Sequence, residues 1–425
     1  MSPSIAIGII GIVILLGFLG ELFFSYTKFP SILLLMIAGL ILGPVYHIFN
    51  QRLFIDFAPY LSTLVLILIM FSGGLELNFV TVFKSSAYSI ILLSSGLALS
   101  IILVGGFFYV MGGGGLMQSL MLGTIVSCSS STVIMPLLPN IGASDKNKTV
   151  IAIESTFNDA LAIVILIVLI NFAKNSSVHI NYLSKSAGLL YSFGISAAVA
   201  VLFGVSWFIL LKFISKTKFA YSITFGGMLI LYLIIHLING NGAIAILVFG
   251  IIMGNEELLN RLKLNFFKMS IKESFIKQFN FEFSFLIRTL FFVFLGVVVE
   301  LSHIGWVFID RLFIIIVMLI AGRYLSVSAV FFMENFKKKE EEKLPKREKF
   351  FLWSMIGRAL ATAIMAYMPL NAGIPGTKDF PEYAFLVIII TNILLTAGVY
   401  AYGRMDAGKE IKTQSGTAGR GLIDI

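Results

Sequence analysis

Thirteen stretches of about twenty predominantly apolar residues follow one another along this chain, separated by short polar loops. Inside lipid no water is available to a backbone N–H or C=O, so a spanning segment must pair those groups within itself, as an α-helix does. The stretches run near residues 3 to 25, 31 to 47, 57 to 80, 84 to 111, 115 to 139, 147 to 173, 184 to 214, 219 to 238, 242 to 256, 274 to 301, 306 to 334, 347 to 370 and 382 to 403. They predict an all-α integral membrane protein of about 13 transmembrane helices. A composition of 58% hydrophobic and 12% charged residues excludes an ordinary soluble globular chain. The first stretch is long enough to span and has no basic residue before it, so it reads as a retained helix and not as a cleaved signal.

A net charge of +9 suggests nucleic acid in a soluble protein, but here its placement reports topology. Lys28, Lys84, Lys146, Lys148, Lys212, Lys216, Lys218, the 261–277 loop and the 337–349 loop fall on one side of the alternating helices. That side holds about nineteen Lys or Arg against about five opposite, which predicts a multi-pass protein of the cell membrane with its N-terminus outside and its C-terminus cytoplasmic. The single cysteine, Cys128, excludes a disulfide framework, and four scattered histidines have no metal-ligand spacing. No composition shift marks a soluble regulatory domain, and after Tyr402 only a short polar tail remains. The lipid bilayer is the expected partner; neither nucleic acid nor a cofactor is.

Within the sixth stretch, Glu154-Ser-Thr-Phe-Asn-Asp159 puts two carboxylates into the apolar run 149–172, with no lysine or arginine nearby in sequence. An ionised side chain at membrane depth costs a few kcal/mol or more, and such acids mark ion or proton paths. Ser155 and Asp159 share a helix face, as do Glu154 and Asn158, whereas Glu154 and Asp159 point roughly 140° apart. One acid can face a pathway and the other a partner. Arg288, Arg323 and Arg358 are the cations at depth, and Arg288 has Glu282 or Glu76 as alternative partners.

An internal echo points the same way. Thr132-Val-Ile-Met-Pro-Leu-Leu-Pro139 in the fifth stretch matches Thr362-Ala-Ile-Met-Ala-Tyr-Met-Pro369 in the twelfth, and Leu75-Glu76-Leu77 weakly echoes Val299-Glu300-Leu301. An offset of seven helices makes the copies enter from opposite sides, an inverted-topology repeat of the transporter kind. Both strong copies carry helix-weakening chemistry: Cys128-Ser-Ser-Ser-Thr132 followed by Pro136, and Gly357-Arg358. Serines can instead simply pack helices. Two discontinuous helices crossing near Glu154 and Asp159 offer carbonyls and hydroxyls, a site for a small hard cation.

The Glu-Ser-x-x-Asn-Asp pattern, the Gly357-Arg358 motif, and Phe285-Leu-Ile-Arg288 with Phe291-Phe-Val-Phe-Leu-Gly296 resemble the monovalent cation/proton antiporters, most closely the NhaP-type sodium/proton antiporters. The resemblance covers essentially the whole chain. It implies an NhaA/NhaP-like homodimer: dimer-domain helices in 1–83 and 218–303, transport-domain helices in 84–174 and 304–404, a linker helix in 175–217 and a tail in 405–425. By motif, it implies that Asp159 is the carboxylate shared by cation and proton, with Glu154, Ser155 and Ser129 completing the cation site. It makes Arg358 the partner of Glu154, with Asn158 and Arg323 in support. Transported sodium, or potassium or lithium, and protons are the implied cargo. The chain departs from the family where Ser129-Ser130-Ser131 replaces the usual Thr-Asp-Pro, which resembles the potassium branch; the Glu and Asn-Asp motifs follow the sodium pattern, so sodium is the expected cation and potassium the alternative.

One carboxylate with two competing ligands suffices for exchange, because a neutralised site can cross with its domain and a charged empty one cannot. A passive cation channel uses similar acids without needing two inverted breaks. An intramembrane enzyme finds no support in the motifs present.

Overall fold

In the computed structural model, residues 3–27, 29–46, 51–77, 87–174, 182–214, 219–255, 273–299, 305–335 and 345–418 are described. Lys28, Lys84, Lys216, Lys218, Glu300 and most of the two basic loops lie outside them. Helices account for the architecture, and no strand occurs among the described residues. They are α1 (Pro3–Thr27), α2 (Ser31–Leu40), α3 (Gln51–Glu76), α4 (Ala87–Val110), α5 (Leu116–Ser127), α6 (Ser131–Ile134), α7 (Asp145–Lys174) and α8 (Tyr182–Ile214). The second half holds α9 (Ala220–Leu237), α10 (Gly242–Gly254), α11 (Glu273–Val298), α12 (Trp306–Asn335), α13 (Lys346–Ser354), α14 (Leu360–Asn371) and α15 (Phe380–Ala418). Among the described residues nine spans are long and apolar enough to cross a membrane, and two shorter apolar helices accompany them.

Each expected stretch coincides with one helix, or with two where the chain breaks. α2 widens into a π turn over Ile41–Val45, where Tyr46 N–H donates to Ile41 O at 3.0 Å. Pro44 sits in that turn and has no N–H to give, which explains the altered ladder. The fifth stretch breaks at 128–130 between α5 and α6, and the twelfth at 355–359 between α13 and α14. The matched segments at Thr132 and Thr362 thus each begin just past a break.

Lipid offers no hydrophobic drive for helices to associate, so close packing through small residues carries the contacts. α2 packs on α11 and α3 on α10. A Cβ on Gly296 would stand 2.3 Å from Met36 O and 2.7 Å from Leu40 N, and one on Gly254 would stand 2.3 Å from Leu75 O. These neighbours are backbone and cannot swing away. Gly296→Ala is therefore expected to destabilise the protein by about 1–3 kcal/mol, the usual cost of forcing atoms into a filled space. A detergent-solubilised melting curve identical to wild type would show that the α2–α11 contact has slack.

Two ends of the bundle are defined by long-range bonds. At one, Gln118 Nε2 donates to Pro375 O at 3.3 Å and Arg311 Nη2 to Gly112 O at 3.0 Å. At the other, the buried Glu348 carboxylate accepts from Ser144 Oγ at 3.0 Å, Asn147 Nδ2 at 2.6 Å and Tyr402 OH at 3.2 Å. This second cluster ties the starts of α7 and α13 to α15.

Candidate functional site

The two breaks meet. Ser130 N–H donates to Gly357 O at 3.0 Å, so the interrupted chains cross in direct backbone contact. Gly357 has little room: a Cβ there would stand 2.7 Å from Leu395 Cδ2 and 3.2 Å from Asn392 Oδ1. Helix ends leave carbonyls without intrahelical partners, and buried ones need donors. Arg358 supplies two, Nε to Val126 O and Nη1 to Ile356 O, both at 2.8 Å. Asn158 Nδ2 reaches Ser127 O at 3.4 Å, and Asn392 Nδ2 reaches Arg358 O at 2.6 Å.

Arg323, not Arg358, pairs with Glu154. From α12 it donates Nη1 to Glu154 Oε1 at 3.0 Å and Nη2 to Oε2 at 3.4 Å, while Nε donates to Leu352 O at 3.1 Å. Both partners are buried, at 5% and 1% side-chain exposure. The expected Glu154–Arg358 pair gives way because Arg358 is spent on the carbonyl end of α5, where a cation is favoured. The planar fork of Arg323 instead meets a carboxylate two-pronged. Arg288 also departs from its expected partners: it pairs with Glu21 at 3.6 Å, across the α1–α11 contact.

Asp159 and Glu154 therefore sit in different surroundings, as their angular separation on one helix requires. Asp159 lines a cleft of about 90 Å³ together with Ser72 and Glu76 of α3, Thr132 of α6 and Arg288 of α11. Glu154, Ser155 and Ser129 do not line it; they are buried behind it. Three oxygens beside the crossing, Asp159 Oδ1, Asn158 Oδ1 and Ser129 Oγ, are buried without a hydrogen-bond partner within the protein. Buried polar atoms are rarely left so, and together with a carboxylate they suit a hard monovalent cation or a proton. Cys128 lies against Asp159. No group of three or more His, Cys, Asp or Glu among the described residues could hold a resident metal ion.

Sequence reasoning missed Glu76 and Thr132 as cleft residues and Asn392 as the clamp on the second break. Glu76 carried a weak signal in the Leu75-Glu76-Leu77 echo. Asn392 carried a signal too, a lone amide in the apolar run of α15.

Residues 11–400 match the family described as sodium/hydrogen exchanger, transmembrane. A K(+)/H(+) antiporter NhaP2 of Shewanella baltica is 22% identical over 392 residues, 90% of this chain and 63% of that protein. The chain thus spans less than two thirds of the length of such relatives. A Na(+)/H(+) antiporter 1 of Methanocaldococcus jannaschii is 24% identical over 340 residues, covering 77% of this chain and 76% of that protein. The structure of the sodium proton antiporter MjNhaP1 from that organism superposes with a TM-score of 0.71 at 20% identity, covering 94% of this chain and 96% of that one, so the fold is shared. With apolar spans, crossed breaks and a matching family signature over most of its length, this multi-pass membrane protein belongs to the transmembrane sodium/hydrogen exchanger family.

Proposed function

We propose that the chain is a secondary active antiporter that exchanges a monovalent cation, sodium first, for protons at Asp159. The observation that carries this reading is the division of labour on α7. Glu154 is neutralised by Arg323 and Asp159 faces a cleft, so of these two acids Asp159 is the one left to alternate between cation and proton. Alternating access then moves the crossed breaks and α7 as a transport domain (84–174 and 304–404) against dimer-domain helices (1–83 and 218–303) in a homodimer. The two breaks belong to inverted repeats. The N-terminus is outside, and the cleft faces the cytoplasm. Proteoliposome flux followed with a pH-sensitive dye, run against sodium, potassium and lithium in turn, tests the reading; no cation-driven proton movement with any of them would overturn it.

Potassium is the second reading, favoured by Ser129-Ser130-Ser131 and by the name of the NhaP2 relatives. The same three-cation comparison separates the two.

Exchange is expected to be electroneutral, one cation for one proton. Arg323 keeps its charge at any accessible pH, so its pair with Glu154 contributes no second transported proton. Moving a net charge would couple the cycle to the membrane potential by about 2.3 kcal/mol per 100 mV. In vesicles clamped with potassium and valinomycin and driven by sodium, the equilibrium proton gradient should ignore the imposed potential. A systematic shift would rule out one-for-one exchange.

A further inference from the structure

The cleft that holds Asp159 has an arginine in its wall. Arg288 of α11 lines it together with Asp159 and Glu76. A permanent positive charge there works against a transported cation, because charge of one sign along a low-dielectric cleft repels ions of that sign. Thr132 and Arg288 also line a second, smaller cavity of about 20 Å³, so the two adjoin. Glu21 and Ser31 line only the second, Asp159 and Glu76 only the first. Arg288 Nη2 stands 3.6 Å from Glu21 Oε1, and Ser31 Oγ donates to that same oxygen at 3.0 Å. The guanidinium is thus drawn toward the second cavity.

Packing sets this arrangement up. Gly17 and Glu21 stand four residues apart and share one face of α1. A Cβ on Gly17 would stand 2.5 Å from Thr289 Cγ2, so that face lies close on α11 beside Arg288. The Arg288–Glu21 separation exceeds hydrogen-bond range, so charge and not a directed bond holds the arginine. Glutamine at position 21 would keep the shape and lose the hold. The carboxylates that still share a wall with Arg288 would then be Asp159 and Glu76, both in the cleft. We infer that Glu21 is a positioning residue for cation binding: it keeps the Arg288 guanidinium turned out of the Asp159 cleft, and without it Arg288 competes with the transported cation from inside the protein.

This inference rests on the exchange reading, and saturation curves test the two separately. The full chain is reconstituted in proteoliposomes, and proton flux is measured against sodium chloride concentration, or potassium chloride if that is the transported salt. Glu21→Gln should raise the half-saturating concentration by about tenfold, the scale on which charge along a cleft changes the local ion concentration. Its maximal rate should stay near that of wild type, the pattern of a change in binding and not in turnover. Glu21→Asp should stay much closer to wild type. Adding Arg288→Gln to Glu21→Gln should bring the half-saturating concentration back down, since the competing charge is then gone. An unchanged value in Glu21→Gln alongside wild-type exchange, with or without a lowered melting temperature, would make the pair a plain tie between α1 and α11 and overturn the positioning role. A raised value that Arg288→Gln fails to lower would overturn it too, and in both cases the exchange reading stands. Absence of exchange in the wild type would overturn both. If Glu21→Gln fails to fold, Ser31→Ala, which loosens the Glu21 carboxylate, is held to the same criterion with a smaller shift in the same direction.

Discussion

Asp159→Asn is expected to reduce cation-driven proton flux to the level of empty vesicles. Asparagine keeps the shape of the side chain but takes up no proton in exchange for a cation. Glu154, the acid nearest to Asp159 along α7, is already held by Arg323 at 3.0 Å and by Asn158 Nδ2 at 3.3 Å. The same substitution should leave stability equal to or above wild type, because Asp159 Oδ1 is buried without a partner and a neutral amide is cheaper to keep there. Loss of flux with retained or raised melting temperature is therefore the expected joint result. Flux at a substantial fraction of wild type would sink the assignment of the shared site to Asp159.

The second large effect concerns stability. Removing one partner of a buried ion pair costs about 3–5 kcal/mol, because the survivor is left uncompensated. Glu154→Gln and Arg323→Met should each approach that loss, and the double variant should recover part of it. Arg358 provides the contrast. Its guanidinium donates to Val126 O and Ile356 O, so substituting it should also destabilise the crossing, but additively with Glu154→Gln. Unfolding followed in detergent for both cycles distinguishes the two arginines. Additivity in the Glu154–Arg323 cycle, or strong coupling between Glu154 and Arg358, would contradict the geometry.

Much of the fold was legible in the amino-acid order. The thirteen stretches coincide with helices because a span announces itself locally, through length and apolarity. The interruptions at 128–130 and 355–359 were legible too, as a serine run before Pro136 and as Gly357-Arg358. Their direct contact through Ser130 and Gly357 follows from the expectation that they cross, but which atoms bond did not. The angular argument on α7 correctly separated Glu154 from Asp159, since side-chain azimuth on one helix is set by 3.6 residues per turn.

What the order of residues did not decide was partnership between helices. Arg288, Arg323 and Arg358 were the arginines expected at membrane depth, and the sequence offered Arg358 to Glu154 and Glu282 or Glu76 to Arg288. The folded chain gives Arg323 to Glu154 and Glu21 to Arg288 instead. Asn392 behaves likewise: its place on the Arg358 carbonyl depends on how α15 is rotated against the second break. By itself the sequence determined where the helices run, where they break and which acids are buried, because those properties depend on neighbours along the chain. The tertiary structure alone decided which cation meets which acid. Such contacts depend on the rotation and depth of helices brought together by close backbone packing at residues such as Gly39, Gly74, Gly254 and Gly296, far apart in the chain.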